Sequence, residues 1–486
     1  MPRSFSPAAS RWCNRRAGAL SIAALLLGGC TVGPNYVRPT TDVPADYKES
    51  ANFKAAQPSD DTAKGKWWGV YGDTQLDALE DQVTVSNQTL KAAQAQFAEA
   101  RAAVRTVRAG YFPTVTGGAS ASGNRQSQNR ALASNAARGN YADYQFPPID
   151  VAWEPDVWGR VRRSVESARS EAQATAADLA NTELSLHAEL ALDYFQLRGL
   201  DSQQQLLDST VTSYQKAFEL TNSRYKGGVA SAVDVAQAQT QLETTRAQAA
   251  DVAVDRAAFE HAVAVLIGKP PTEFSQQPAP LTIPPPAIPP GLPSQLLERR
   301  PDIAAAERRV QEANAQIGVA RAAYFPIFSL TGGGGFESSQ IHNLLSGPSG
   351  FWSLAGSAAE LIFDGGLRRG ITEEVRANYD KSVDTYRQTT LTAFQEVEDN
   401  LAALRILENE ATIQDAAVAA SQHSLDLSNS RYKGGVANYL EVTTAQSAAL
   451  GDERAAVDVL TRRMAASVLL IKALGGGWSA SQLPHL

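Results

Sequence analysis

The sequence predicts an α+β membrane protein made of two tandem halves, each a β-hairpin carried on long helices. Repetition is the first sign. The stretch "NSRYKGGVA" stands at Asn222–Ala230 and again at Asn429–Ala437, 207 residues later, and "YFP" recurs in the same order at Tyr111–Pro113 and Tyr324–Pro326. Identical words in identical order mark a duplicated structural unit. The second sign is two proline-free helical runs, Val161 to about Asn222 and Leu367 to about Ser430. At 1.5 Å per residue, each spans roughly 90–95 Å. The third is period-two alternation in short segments, each near the ten-residue length of a strand that crosses an outer membrane.

Residues 1–29 read as an export signal. Arg3, Arg11, Arg15 and Arg16 form a basic start, and Ala17–Leu27 is an apolar run too short to span a bilayer. It closes in "LGGC", Leu27–Cys30, where small residues before a cysteine suit a lipoprotein signal peptidase and a covalent lipid on Cys30. Cleavage there also removes Cys13, so the mature chain holds one cysteine, which is lipidated, and no disulfide. Losing four arginines takes the net charge from −7 to −11. So acidic a chain is a poor partner for nucleic acid.

An extended segment, residues 30–75, leads into the first repeat, residues 76–267. It comprises a helix over Leu76–Ala109, a hairpin over 114–157, the long helix, a tip at 224–230 and a helix over Ser231–Ile267. In "TVTGGASASG", Thr114, Thr116, Ser120 and Ser122 alternate with Val115, Gly117, Ala119 and Ala121. The expected partner strand is Ile149–Val157, reached by a loop over Arg125–Asp143. Residues 268–301 carry a proline-rich stretch that forbids helix and forms a linker at mid-height. The second repeat, residues 302–474, runs through a helix over Asp302–Ala323, a hairpin over 327–363 and the second long helix. Its tip is at 431–437, its last helix spans Tyr439–Leu474, and a tail covers 475–486. Within that hairpin the strands are expected at Phe328–Phe336 and Trp352–Phe363, joined by a loop over Glu337–Phe351. The helices 231–267 and 302–323 together match one long helix in length, so they are expected to stack end to end.

Both copies of the repeated stretch fall where a long helix ends. Gly227-Gly228 and Gly434-Gly435 supply the freedom of a tight turn, and Arg224, Lys226, Arg431 and Lys433 suit the negative helix end. The helix after the first tip carries two seams at 3-4 spacing. One passes through Val235, Ala238, Leu242 and Thr245, the other through Val233, Ala236, Thr240 and Glu243. Two seams of mostly small side chains suit a stave with a neighbour on each side. Four strands per chain cannot close a barrel, and lipid tolerates no open sheet edge. Strands in a membrane therefore require an oligomer: two chains give eight strands and a filled barrel, three give twelve and a lumen.

The chain resembles the TolC family of outer membrane factors, in its NodT/OprM-like efflux lipoprotein branch. The resemblance runs through "CTVGPNYVRP" (Cys30–Pro39), "KWWGVYGDTQLDAL" (Lys66–Leu79) and "NQTLKAA" (Asn87–Ala93). It continues through "WEPDVWGRVR" (Trp153–Arg162), both "RYKGGV" turns, "RRPDIAAAE" (Arg299–Glu307) and "LGGGW" (Leu474–Trp478). It implies a homotrimer: a 12-stranded transmembrane β-barrel, four strands per chain, continuous with a long periplasmic α-helical barrel. It implies a passive exit duct for small molecules in the outer membrane of a Gram-negative bacterium, lipid-anchored there. An inner-membrane pump of the resistance-nodulation-division type and a periplasmic adaptor (membrane fusion) protein are the implied partners. The outer membrane duct of a type I protein secretion system is the alternative. By the same resemblance, Arg224, Tyr225, Lys226, Gly227 and Gly228 with Arg431, Tyr432, Lys433, Gly434 and Gly435 form the adaptor-docking tips. Asp234 and Tyr432 match family gate positions, whereas Ala437 and Thr444 replace the usual Arg and Asp, with Glu441 one turn before Thr444 as the nearest carboxylate.

No cofactor or metal is expected. His187, His261, His342, His423 and His485 share no ligand spacing. "TGGGG" at Thr331–Gly335 lacks the lysine of a phosphate loop and sits in a strand pattern. Enzymatic chemistry has no foothold in the sequence.

Overall fold

A computed structural model gives the fold, described over residues 31–49, 65–125, 127, 140–288 and 293–486. In chain order it runs α1 (Thr74–Ser86), α2 (Gln88–Arg108), β1 (Thr114–Gly117), β2 (Ser120–Arg125), β3 (Asn140–Trp153), α3 (Arg160–Lys226) and α4 (Ala232–Leu266). After the linker come α5 (Pro301–Ala322), β4 (Ile327–Ser338), β5 (Gly350–Ala359), α6 (Leu367–Lys433) and α7 (Tyr439–Ala473). The two long helices have 67 residues each, about 100 Å apiece at the α-helical rise. Among the described residues, no helix is long and apolar enough to cross a membrane.

The described strands join one antiparallel sheet, with β1 and β2 end to end along one edge of β3, β4 on its other edge and β5 beyond β4. The β3 strand departs from expectation. It begins at Asn140 and stops at Trp153, where the sequence suggested Ile149–Val157. Beyond Trp153, Asp156 bonds the backbone N–H groups of Val161 and Arg162, so this stretch starts α3 rather than extending the strand. Pro147-Pro148 within β3 offers no N–H on either side. Opposite it, the first edge breaks between β1 and β2, and the pairing with β4 skips from Phe146 to Ile149. Gly335 faces this bulge, where a Cβ would lie 2.6 Å from the Pro147 carbonyl oxygen. Most of the loop expected over Arg125–Asp143 lies outside the described residues.

The helix expected over Leu76–Ala109 is two helices. Asn87 sits between them with extended backbone and caps α2, its Oδ1 accepting from the Leu90 N–H at 2.9 Å. Its Nδ2 donates to the Leu266 carbonyl at 2.8 Å, so the end of α4 meets the start of α2. The second half repeats this joint, with Arg300 donating to the Ala473 carbonyl at 3.1 Å where α7 meets α5. The expected stacking of helix 231–267 on helix 302–323 is therefore wrong; each short helix abuts its own half's partner. Gly268 and Gly475, both at positive φ, permit these joints, since a Cβ would lie 2.4 Å from the Ser86 oxygen and 2.1 Å from the Arg299 oxygen.

The largest apolar core gathers where these joints lie. Trp67, Trp68, Tyr71, Leu76, Leu190, Phe195, Val263 and Val468 pack together there. The linker is fastened to the same region by buried charges. Arg198 donates to the Gln277 carbonyl, Arg256 to the Gln276 carbonyl, and Asp201 accepts from Arg256 at 2.7 Å and from the Ala279 N–H at 2.9 Å.

Candidate functional site: the helical tips

Each tip is a Schellman turn. The N–H of Gly228 bonds the Tyr225 carbonyl and that of Val229 the Arg224 carbonyl, at 2.9 and 2.8 Å. Gly435 and Val436 bond Tyr432 and Arg431 in the same way, each at 3.1 Å. Gly228 has φ 74° and Gly435 φ 75°, while Gly227 and Gly434 keep negative φ. The second glycine of each pair is thus the one the turn requires.

The two tips touch. Arg224 donates from Nη1 to the carbonyls of Tyr432 at 3.1 Å and Lys433 at 3.5 Å, and its guanidinium lies 4.7 Å from the Tyr432 ring centre. The Tyr432 hydroxyl donates to Thr221 Oγ1 at 3.4 Å, and its ring meets Tyr439 edge-on at 5.2 Å. Phe218, Ala238 and Val442 complete the cluster. Tyr432 is buried at 7% exposure, whereas its repeat counterpart Tyr225 is 47% exposed. Sequence reading placed Tyr432 among the gate residues but did not foresee that Arg224 and Thr221 hold it. The exact repeat of the stretch was the available signal.

The other gate candidates have local partners. Asp234 closes a capping box with Ser231, accepting the Ser231 N–H at 2.9 Å while the Ser231 hydroxyl accepts the Asp234 N–H at 3.1 Å. Glu441 lies 3.3 Å from Arg431 Nε across its own turn, an exposed pair. Thr444 is exposed and bonds back to the Leu440 carbonyl. Cys30 lies outside the described residues, which begin at Thr31. The Val32 N–H bonds the Trp158 carbonyl at 3.1 Å, between the end of β3 and the start of α3. Gly33 then packs on Gly318 of α5 so closely that a Cβ would lie 2.6 Å from its Cα.

One buried polar pair went unforeseen. His187 Nδ1 and Glu80 Oε2 are 2.6 Å apart, with Trp68 stacked on the imidazole at 4.4 Å. Burial pushes Glu80 up to about 9 and His187 down to about 4. The pair therefore holds one proton, with the Glu80 carboxyl donating to Nδ1 and Nε2–H facing Thr84 Oγ1 at 3.4 Å. The partners are 107 residues apart, so no spacing rule reveals them. Among the described residues, no group of three or more His, Cys, Asp or Glu side chains is placed to hold a metal.

Known proteins share this fold and sequence. The family model described as outer membrane efflux protein matches residues 79–269 and 292–476. The outer membrane protein OprJ of Pseudomonas aeruginosa is 34% identical over 464 residues, 94% of this chain and 95% of OprJ. The probable efflux pump outer membrane protein TtgC of Pseudomonas putida is 32% identical over 462 residues, 95% of each chain. Among solved structures, the outer-membrane channel OprN superposes with a TM-score of 0.86 at 30% identity, covering 92% of this chain and all of that one. The chain belongs to the outer membrane efflux protein family.

Proposed function

We propose that this chain is the outer-membrane exit duct of a tripartite efflux system, built as a homotrimer. The observation that carries the trimer is the sheet itself. Among the described residues it has the width of four strands, its β1/β2 and β5 edges are both open, and residues of both edges are exposed. Such edges have no place in lipid unless further copies close them, and three copies give a 12-stranded barrel with a lumen. The helices agree. Ala238, Leu242, Thr245 and Val252 of one α4 seam are buried within the chain, while Val233 and Val254 of the other are 63% and 67% exposed, free for a neighbouring stave. The tips lie at the far end of 67-residue helices from the strands, where a periplasmic adaptor docks and links the duct to an inner-membrane pump of the resistance-nodulation-division type.

A lipid on Cys30 fits the chain's path, because Thr31 and Val32 lie at the strand–helix junction, at the level where a barrel leaves the membrane. Cys30→Ser is expected to abolish fatty-acid labelling, and full labelling of that variant rejects the assignment. Transport is tested by deleting the gene and following a fluorescent efflux dye. Accumulation should rise and return to normal with the intact gene. Unchanged dye levels with loss of a secreted protein point instead to a type I secretion duct.

A further inference from the structure

We infer that the duplicated stretch is a self-complementary clasp, in which Arg431 of one copy engages Tyr225 of the next; this rests on the homotrimer proposed above. Within one chain the first tip grips the second. Arg224 covers the Tyr432 ring and bonds its carbonyl, Thr221 takes the Tyr432 hydroxyl, and Phe218 packs beside it. Moving 207 residues along the chain turns these three into Arg431, Ser428 and Leu425. The second tip thus carries the same kit: a guanidinium, a hydroxyl and an apolar side chain at the same spacing. The feature such a kit grips, the Tyr-Lys-Gly-Gly turn, is repeated at Tyr225–Gly228, where the Tyr225 ring is 47% exposed.

One chain has two tips and a single junction between them. A closed ring of three chains has six tips and six junctions, and the contacts that close it are head-to-tail. Three junctions are the Arg224–Tyr432 contacts already within each chain. The other three bring the second tip of one copy to the first tip of the next, and there the unused kit meets the unused turn. Among the described residues Arg431 has one competing side-chain partner, Glu441 of its own hairpin at 3.3 Å. Both groups of that pair are about half exposed, so it is weak and readily exchanged. Exchange of Arg431 between Glu441 and Tyr225 of the neighbouring copy couples or uncouples adjacent tips. This supplies a latch from residues other than Ala437 and Thr444.

Photocross-linking on the full chain in membranes tests the clasp. With p-benzoylphenylalanine replacing Tyr225, irradiation should give a covalent dimer whose adduct maps to residues 428–433 of a second copy. Glu441→Gln should raise its yield about two- to fivefold by releasing Arg431. A reciprocal probe replacing Ser428 should capture residues 225–226. Trimers on a native gel whose adducts all lie within one chain, or map elsewhere, overturn the clasp and leave the duct intact. Absence of trimers overturns both.

Discussion

Glu80 and His187 show how a single buried proton shapes stability. The folded pair holds one proton between about pH 4 and 9. In the unfolded chain, with ordinary values of 4.5 and 6.5, the two groups hold two protons below 4.5, one between 4.5 and 6.5, and none above 6.5. Between pH 4.5 and 6.5 the folded and unfolded counts match at one proton, so the pair's contribution is flat there. It falls as pH rises from 6.5 towards 9, by about 1.4 kcal/mol per pH unit, because folding must then take up a proton. Glu80→Gln keeps a donor to Nδ1 but binds no proton. Its melting profile should lose the alkaline decline and gain a loss below pH 6.5, where the unfolded His187 protonates and the folded one does not. Parallel profiles for the two proteins across pH 5–9 reject this proton assignment. Sequence gave no hint of the pair, since its partners meet only through tertiary packing, whereas the glycines that form the tips were visible because a repeated Gly-Gly after a helical run has few other uses.

Among the elements, the tips and the linker make separable predictions. A Cβ at Gly228 or Gly435 meets open space, so strain in Gly228→Val or Gly435→Val comes from positive φ alone, about 1–3 kcal/mol held at the turn. Resistance that depends on efflux should fall while the protein still reaches the outer membrane; full resistance in both variants contradicts the docking role of the tips. The linker depends on Asp201, buried at 5% exposure between Arg198 and Arg256. Asp201→Ala leaves Arg198 without its countercharge and Arg256 with Glu260 alone, and breaking a buried pair typically costs about 3–5 kcal/mol. Protease cleavage within residues 270–288 should quicken, and a cleavage rate equal to wild type shows that the ion pairs do not hold the linker. The long helices were legible from their freedom from proline and the glycines that stop them, although they run on to Lys226 and Lys433, past the expected ends at about Asn222 and Ser430. The break at Asn87 was not, because a capping asparagine inside a helical pattern looks like any polar surface residue. β3 was misplaced for a related reason: prolines are uncommon inside a strand, and Pro147-Pro148 is accommodated only by the break between β1 and β2 on one side and the bulge against β4 on the other.

At the scale of the whole molecule, duplication is what made the architecture readable: each half repeats its joint, its hairpin and its tip. The proposed oligomer follows from counting strands, since among the described residues no further strand pairs with the β1/β2 or β5 edge. In the proposed trimer three copies of each tip surround one opening, where Glu441 carboxylates would favour cations. The direct measurement is planar-bilayer recording of the purified full-length protein. A trimeric duct gives discrete conductance steps with cation preference, and Glu441→Gln weakens that preference while the steps persist. A membrane-inserted protein that yields no conductance steps under any applied voltage contradicts the duct.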